Sequence, residues 1–177
     1  MSKSNFVEEL KGHQKLVGEF HEAFGHIVEE KPKAIPKEVA LPRAVWTAEE
    51  VVEFLYATSA GDMDEFKHFV NELKKGIDKT VQKIEDKADP VEDVLVGQMD
   101  AIVDTLYFAY GTAVVAGTNI SPLFQIVQDA NMGKLWEDGK PRYREEDGKI
   151  QKPPHWEEKF APEKRIKEEI HRQKTEA

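Results

Sequence analysis

The sequence contains no cysteine, and this absence excludes several kinds of site at once. A chain without thiols forms no disulfide framework, no thiolate zinc centre and no cysteine nucleophile. Any metal ion that the protein binds must therefore take oxygen or imidazole ligands.

Positive charge is also in short supply. The 177 residues include 25 lysines and arginines against 34 aspartates and glutamates, which gives a formal net charge of −9 at pH 7. Proteins whose main partner is a nucleic-acid backbone are usually basic, so this balance argues against that class. An anionic substrate would need a cation to mediate its binding to so acidic a protein.

A continuous apolar segment is missing from residues 1–15, which charges interrupt throughout, so no signal peptide is predicted and we expect a cytoplasmic protein. Residues 105–127 form an uncharged run of 23 positions, long enough to cross a bilayer. Glycines and polar residues interrupt this run, and Ser121 with Pro122 has the pattern of a helix N-cap followed by a first helical residue. The run therefore predicts two buried helices of a soluble bundle rather than a membrane span.

Apolar residues recur at helical spacing along most of the chain, and strand-like alternation is almost absent. This pattern predicts an all-α fold, a bundle of four to five helices. We expect one amphipathic helix to end near Gly25, an irregular connection over residues 28–42, a second helix over about residues 43–58, and a third of about six turns. Asp89 and Pro90 predict the start of a long fourth helix.

The composition changes near the C-terminus. Residues 135–155 contain two Asp-Gly pairs and three prolines, a composition typical of turns or a short hairpin, and we interpret them as a candidate lid. More than half of residues 157–177 are charged, which predicts a solvated helix or a frayed tail. The predicted organisation is one domain, residues 1–156, followed by a charged tail or helix, residues 157–177.

Three glutamates share one face of the predicted second helix. In residues 47–57, TAEEVVEFLYA, Glu49 and Glu53 are four apart and Glu50 and Glu53 three apart, so all three fall within one sector of the helix. Like charges at these spacings repel one another, and far more strongly when they are buried. This negative charge has to be compensated.

Two aspartates have the same kind of setting on the predicted fourth helix. In residues 100–111, DAIVDTLYFAYG, Asp100 and Asp104 share one face and are surrounded by apolar residues. At a bundle edge they would simply reach water. If the two helices pack side by side, the carboxylates converge with no lysine or arginine nearby in either segment, and a hard divalent cation would compensate them. Oxygen ligands predict Mg²⁺ or Mn²⁺ rather than Zn²⁺.

A di-iron bundle is the nearest alternative, and it requires two inward-facing Glu-x-x-His motifs. The sequence contains Glu65 with His68 and Glu168 with His171. The first pair lies opposite the apolar stripe of the third helix, and the second lies in the charged tail. Both pairs are expected to face solvent, which favours Mg²⁺ or Mn²⁺.

Four segments occur in an order that resembles a known superfamily. They are EExxE at residues 49–53, DxLYxxYG at residues 104–111, ANMxK at residues 130–134 and DGKxxKP at residues 147–153. This combination resembles the all-α nucleoside triphosphate pyrophosphohydrolases, the superfamily of MazG, dimeric dUTPases and phosphoribosyl-ATP pyrophosphohydrolase. The segment FHEAFG, residues 20–25, is also similar to the first helix of phage and bacterial MazG-like members.

The resemblance extends over roughly residues 16–156 and implies a MazG-like fold and a magnesium-dependent reaction. The reaction cleaves between the α- and β-phosphates and releases a nucleoside monophosphate and pyrophosphate. Metal ions would neutralise the triphosphate and lower the pKa of the attacking water. By this resemblance Glu49 or Glu50 also activates water, and the metal is held by Glu49, Glu50, Glu53 and Asp104.

The chain departs from the family pattern at two points. The family's ExxD motif has a glutamate three positions before the aspartate, where this chain has Ala101. The nearest acid is Asp100, rotated by about 100° but still able to share a face with Asp104, and we include Asp100 among the predicted ligands. In addition, 46 residues (54–99) separate Glu53 from Asp100, more than is usual in the family.

Basic and aromatic residues supply candidate contacts for the substrate. The resemblance favours a phosphate-binding role for Asn131 and Lys134, and the basic residues of the candidate lid, including Arg142 and Arg144, add donors for a triphosphate. Aromatic residues are candidates to stack on a base, although aromatics at helical spacing usually form the core. The predicted substrate-binding residues are His21, Phe24, Tyr107, Asn131, Lys134, Lys149 and Lys152.

The predicted function is that of a nucleoside triphosphate pyrophosphohydrolase of house-cleaning or dUTP type, with Mg²⁺ or Mn²⁺ as cofactor. Neither nucleic acid nor a membrane is expected as a partner. A short helical set with clustered acids normally completes its pocket across a subunit interface, so we expect a homodimer or homotetramer. The alternatives are a phosphoribosyl-ATP pyrophosphohydrolase, and a non-catalytic helical adaptor or degenerate nucleotide-binding member of the same family.

Overall fold

A computed structural model describes residues 5–176; residues 1–4 and 177, the ends of the predicted domain and tail, lie outside the described part. Within residues 5–176 the regular structure is helical, which confirms the all-α prediction. The predicted bundle helices correspond to α2–α6 of the following: α1 (Asn5–Glu9), α2 (Gly12–Ala23), α3 (Lys37–Thr58), α4 (Met63–Lys87), α5 (Val94–Val115), α6 (Ile120–Met132), α7 (Trp156–Phe160) and α8 (Pro162–Glu176).

The chain divides into two compact units. A central unit comprises residues 33–101, and a terminal unit comprises the described residues before and after it. The helices α1, α2, α6, α7 and α8 belong to the terminal unit, and α3 and α4 belong to the central unit. Helix α5 begins in the central unit and continues into the terminal unit.

In the central unit, α3 and α4 pack against each other across a short turn. The ring of Tyr56 meets that of Phe66 edge to face at 5.3 Å between centroids. Ser59 in the turn is 2% exposed. The carboxylate of Asp62 begins α4 by accepting the backbone N–H groups of two residues in its first turn, at 2.9 and 3.0 Å. The backbone N–H and C=O of Ile35 both bond the side-chain amide of a residue on α5, Gln98, at 2.8 and 2.9 Å.

In the terminal unit, α6 packs against both α2 and α8. The Gln128 side chain is buried and donates to the carbonyl of Leu16 on α2 at 2.7 Å. On the other side, Arg165 of α8 pairs with Asp129 at 2.7 Å. The buried apolar residues of this unit are Val7, Phe24, Ile126, Ala130 and Trp156.

Three of the predicted helix starts are wrong, and proline or a capping side chain decides each of them. Helix α3 begins at Lys37 rather than near residue 43, because Pro42 lies inside the helix and removes only one backbone bond there. Helix α5 begins at Val94 rather than at Asp89, and the Asp93 carboxylate accepts the N–H of Val96 at 3.1 Å.

Helix α6 has Asn119, rather than Ser121, as its N-cap, and the Asn119 side chain accepts the Ser121 N–H at 3.1 Å. The prediction of a single first helix is also wrong. Gly12 adopts a left-handed φ of +58°, which a continuous right-handed helix does not allow, so α1 and α2 are separate. The predicted end near Gly25 is confirmed, since α2 stops at Ala23 and Gly25 has a φ of +66°.

The uncharged run of residues 105–127 is divided between α5 and α6, as predicted. Among the described residues no single helix meets the criteria for a membrane span, and α5 with α6 meets them only as a pair bent by 116°. The expectation that both helices are buried is wrong for α5, which has no buried residue. The described neighbours of α5 leave its apolar side chains uncovered.

The middle of the candidate lid is ordered by pairing between residues close in sequence. Tyr143 and Ile150 form an antiparallel bridge, which confirms the predicted short hairpin. The charged segment beyond the lid forms α7 and α8, which confirms the solvated-helix alternative. Gln173 of α8 bonds both the N–H and the C=O of Asn119, at 2.9 and 3.0 Å, so α8 is attached to the start of α6.

Acid is expected to weaken this attachment through Glu169. Hydrogen bonds from Arg172 and Gln173 hold the pKa of the Glu169 carboxyl at about 2. Because this pKa lies below the ordinary value of about 4.3, the contribution to stability is complete above pH 4.3 and is lost as the pH falls toward 2. We expect wild type to be more stable than Glu169→Gln at pH 7 and the two to converge near pH 2, as measured by urea unfolding. Parallel curves over this range would contradict the prediction.

Candidate active site

The five predicted metal ligands are exposed on two helices. Helix α3 carries Glu49, Glu50 and Glu53, and α5 carries Asp100 and Asp104 one turn apart. In the described part of the chain none of these five carboxylates forms an ion pair with a lysine or arginine. Exposed, unneutralised oxygen donors of this kind fit a hard cation such as Mg²⁺ or Mn²⁺.

Within residues 5–176, no group of three or more histidine, aspartate or glutamate side chains is close enough to hold a metal ion. The three glutamates and Asp100 belong to the central unit, and Asp104 belongs to the terminal unit. The metal-binding role of these residues therefore stays a prediction. The di-iron motifs have the expected exposed positions, with Glu65, His68, Glu168 and His171 all on solvent-facing parts of α4 and α8.

The structure brings together Asn131 and Lys134, which were predicted to contact phosphate. Lys134 lies just beyond the end of α6, and its Nζ donates to Oδ1 of Asn131 at 2.8 Å. Lys134 is half-buried, and this burial, together with the charge of Lys152, lowers the pKa of its ammonium group. An anion beside Lys134 would raise this pKa again, because an opposite charge favours the protonated form.

A third predicted residue, Lys152, lies at the same place. Its Nζ is 3.9 Å from the centre of the Trp156 ring and 2.6 Å from a carboxylate oxygen of Glu157. The Nζ of Lys134 is 6.0 Å from the same ring. Trp156 is 6% exposed and its indole N–H donates to the carbonyl of Ala130 at 2.9 Å. Trp156 was not predicted from the sequence. The only indication there was its position four residues after Lys152, close enough in sequence for the two side chains to meet.

The side chains of Arg142 and Arg144 are engaged within the lid itself. Lys149 is exposed, and its backbone N–H donates to the Asp147 carboxylate at 3.1 Å. Arg144 pairs with the same carboxylate. Arg142 lies over the ring of Trp136 at 3.9 Å. The structure therefore does not place these three with the pair of lysines on Trp156.

The predicted base contacts differ in exposure. Phe24 is 2% exposed and stacks on Phe20 at 4.2 Å, so its ring belongs to the core of this chain. Tyr107 is 76% exposed. His21 is half-buried, and its Nδ1 bonds the carbonyl of Ile27 at 2.9 Å. This leaves Tyr107 as the predicted aromatic with the most accessible ring.

The lid is tied to the end of α2 by a residue that sequence reasoning also missed. The Tyr143 hydroxyl donates to the carbonyl of Phe24. Burial raises the pKa of this hydroxyl, so it stays a donor at neutral pH. No local sequence pattern identifies this contact, because 119 positions separate the two residues.

Comparison with known proteins assigns this all-α fold to the hydrolases that act on phosphoric anhydrides. The chain belongs to the phosphoribosyl-ATP pyrophosphohydrolase (PRA-PH) family, whose pattern matches residues 17–131. A crystal structure of a protein from Exiguobacterium sp. 255-15, described as a "putative NTP pyrophosphohydrolase", is similar throughout. Sequence identity is 43%, the TM-score is 0.86, and the match covers 95% of this chain and 99% of that protein. No curated protein sequence matches the chain significantly.

Proposed function

We propose that this pyrophosphohydrolase is a Mg²⁺-dependent enzyme that cleaves nucleoside triphosphates between the α- and β-phosphates and releases nucleoside monophosphate and pyrophosphate. The observation that carries the proposal is the set of five exposed carboxylates on α3 and α5, none of which has a basic partner in the described part of the chain. Such a set has no evident structural use, whereas it suits a cation that accompanies a triphosphate.

In this proposal the cation is Mg²⁺ or Mn²⁺, held by Glu49, Glu53 and Asp104 together with Glu50. Asp100 replaces the glutamate that the family motif has at the position of Ala101. When bound, the metal would neutralise phosphate charge and lower the pKa of the attacking water. A glutamate of α3 accepts the proton of that water, as its exposed position allows.

The phosphate-binding side consists of Asn131, Lys134 and Lys152, with Lys149 nearby in sequence. Since Oδ1 of Asn131 accepts from Lys134, the amide nitrogen of Asn131 keeps its donors for a phosphate oxygen. The two ammonium groups supply the positive charge that an acidic protein otherwise lacks for a pyrophosphate. The lid thereby contributes to substrate binding as well as to the fold.

We propose that His21 and Tyr107 contact the base of the substrate and that the buried Phe24 packs behind them. The bond from Nδ1 of His21 to the Ile27 carbonyl at 2.9 Å holds the imidazole ring in a fixed orientation. The exposed ring of Tyr107 supplies a stacking surface.

We further propose that the enzyme works as a homodimer or homotetramer. Helix α5 exposes apolar side chains along its length, with Ile102 at 42%, Leu106 at 52% and Val114 at 76%. On α3, Trp46 and Phe54 are 57% and 55% exposed. Apolar side chains exposed along a helix in this way are typical of a subunit interface. A second copy would cover it and complete the surroundings of the carboxylates.

The test is a panel of canonical, deoxy and modified nucleoside triphosphates incubated with the protein and Mg²⁺ or Mn²⁺, with products separated by chromatography. Phosphoribosyl-ATP belongs in the panel because the family is described by that substrate. We expect monophosphate and pyrophosphate from at least one triphosphate, and no turnover after EDTA. Release of orthophosphate, or turnover that persists in EDTA, would contradict the proposal. Turnover of phosphoribosyl-ATP alone would replace the proposed substrate class.

A further inference from the structure

Trp156 occupies an unusual position for a buried aromatic residue. Its ring has an ammonium group 3.9 Å from its centre, that of Lys152, and a second within 6.0 Å, that of Lys134. Its indole N–H donates to the carbonyl of Ala130, the residue that precedes Asn131. One side chain therefore lies close to both lysines and bonds the backbone that directly precedes Asn131.

The two lysines need such a support because they repel each other. The charge of Lys152 contributes to the lowered pKa of Lys134, so the two ammonium groups interact electrostatically. A solvated lysine is flexible and would turn away from a like charge. The negative face of an indole attracts an ammonium group and holds it without neutralising it. The ring can thus hold both ammonium groups in place while an anion binds them.

The neighbouring carboxylate shows that Lys152 is available for exchange. Lys152 pairs with Glu157, but the two side chains are 46% and 72% exposed, and an exposed ion pair of this kind contributes little energy. A phosphate group with several anionic oxygens is a stronger partner for the same ammonium group. The lysine can therefore exchange Glu157 for a phosphate while it remains on the ring.

We propose that Trp156 is a positioning residue that aligns Lys134 and Lys152 to bind the pyrophosphate portion of the substrate. This inference rests on the proposed function for the identity of the substrate, but the pyrophosphate site can be tested without turnover. A purely structural Trp156 would matter for stability alone. A positioning Trp156 also controls the affinity for pyrophosphate.

The experiment uses the full-length protein and inorganic pyrophosphate with Mg²⁺ as the probe. Trp156→Leu removes the aromatic face, and Trp156→Phe keeps an aromatic ring in a similar volume. Ile126→Ala is the matched control. Ile126 is another buried apolar residue of the terminal unit, and it lies outside the proposed phosphate-binding side. Affinity is measured by calorimetry, stability by thermal unfolding, and, where a triphosphate is turned over, KM and kcat separately.

We expect Trp156→Leu to weaken pyrophosphate binding about tenfold and to raise KM by a similar factor with little change in kcat. Trp156→Phe should restore most of the affinity. Ile126→Ala should lower the melting temperature without changing the affinity. In nitrogen-15 spectra, the indole N–H signal that disappears in Trp156→Phe should shift when pyrophosphate is added to wild type.

The inference is overturned if wild type does not bind pyrophosphate, if Trp156→Leu binds it as wild type does, or if Ile126→Ala weakens binding as much as Trp156→Leu. The proposed function can fail separately. If no triphosphate is hydrolysed but pyrophosphate binding depends on the Trp156 ring, the pyrophosphate site is confirmed and the proposed hydrolysis is contradicted. If triphosphates are hydrolysed but the affinity for pyrophosphate does not depend on the Trp156 ring, only the inference about Trp156 is contradicted.

Discussion

Replacing Glu50 by glutamine is expected to reduce triphosphate hydrolysis by about two to four orders of magnitude, the usual contribution of a proton-accepting side chain. The substitution keeps the size of the side chain and removes its negative charge, so the amide neither accepts a proton from water nor neutralises a cation. Because Glu50 is exposed on α3, the fold should be unchanged. Initial rates of monophosphate formation and the melting temperature without metal are the two measurements.

The matched control is Glu38→Gln. Glu38 is an exposed glutamate in the first turn of the same helix, twelve positions before Glu50, and lies outside the predicted site. We expect it to leave the rate within about a factor of two, since surface substitutions have small effects. Full activity of Glu50→Gln would remove this glutamate from the proposed mechanism. Equal losses in both variants would point to the helix rather than to the site.

Replacing Leu106 by glutamate is expected to dissociate the proposed oligomer into monomers. Leu106 is 52% exposed, and it lies about 200° around α5 from Asp104, so the change avoids the face proposed to bind the metal. An unpaired charge buried at an interface costs several kcal/mol, and about 4 kcal/mol corresponds to a thousandfold increase in the dissociation constant. Sedimentation velocity should show the loss of oligomer. Activity should fall with it if a second copy completes the site.

The control for this prediction is Gln151→Glu, which adds the same charge at an exposed position of the lid. We expect this variant to keep the oligomeric state of wild type. An oligomeric and active Leu106→Glu would exclude this side of α5 as the interface. A monomeric Leu106→Glu with wild-type activity would show that one chain is sufficient for catalysis.

The helical class and the shared face of the three glutamates could be predicted because both follow from residue spacing. Residues three and four apart are neighbours on any α-helix, so the sector that contains Glu49, Glu50 and Glu53 needed only the correct secondary structure. The same argument placed Asp100 and Asp104 one turn apart on α5. These predictions tolerate errors of several residues in the helix ends.

The positions of the helix ends depend on competition between alternative caps and backbone conformations, which residue spacing does not describe. Pro42 is accommodated inside α3 although it also ends helices in other settings. Asn119 and Ser121 are both good caps, and the backbone at the start of α6 selects Asn119. Gly12 interrupts the first helix by adopting a left-handed conformation that its sequence permits but does not require. Small free-energy differences decide such cases.

The sequence by itself determined the all-α class, the acidic faces of two helices and the order of segments that identifies the family. Only the tertiary structure decided that Phe24 is covered whereas Tyr107 is exposed, and that Lys134 and Lys152 meet on the ring of Trp156. The reason is physical. Helical periodicity is a property of near neighbours, whereas the bond from Trp156 to the carbonyl of Ala130 joins residues 26 positions apart. Contacts at that separation form only when the chain packs.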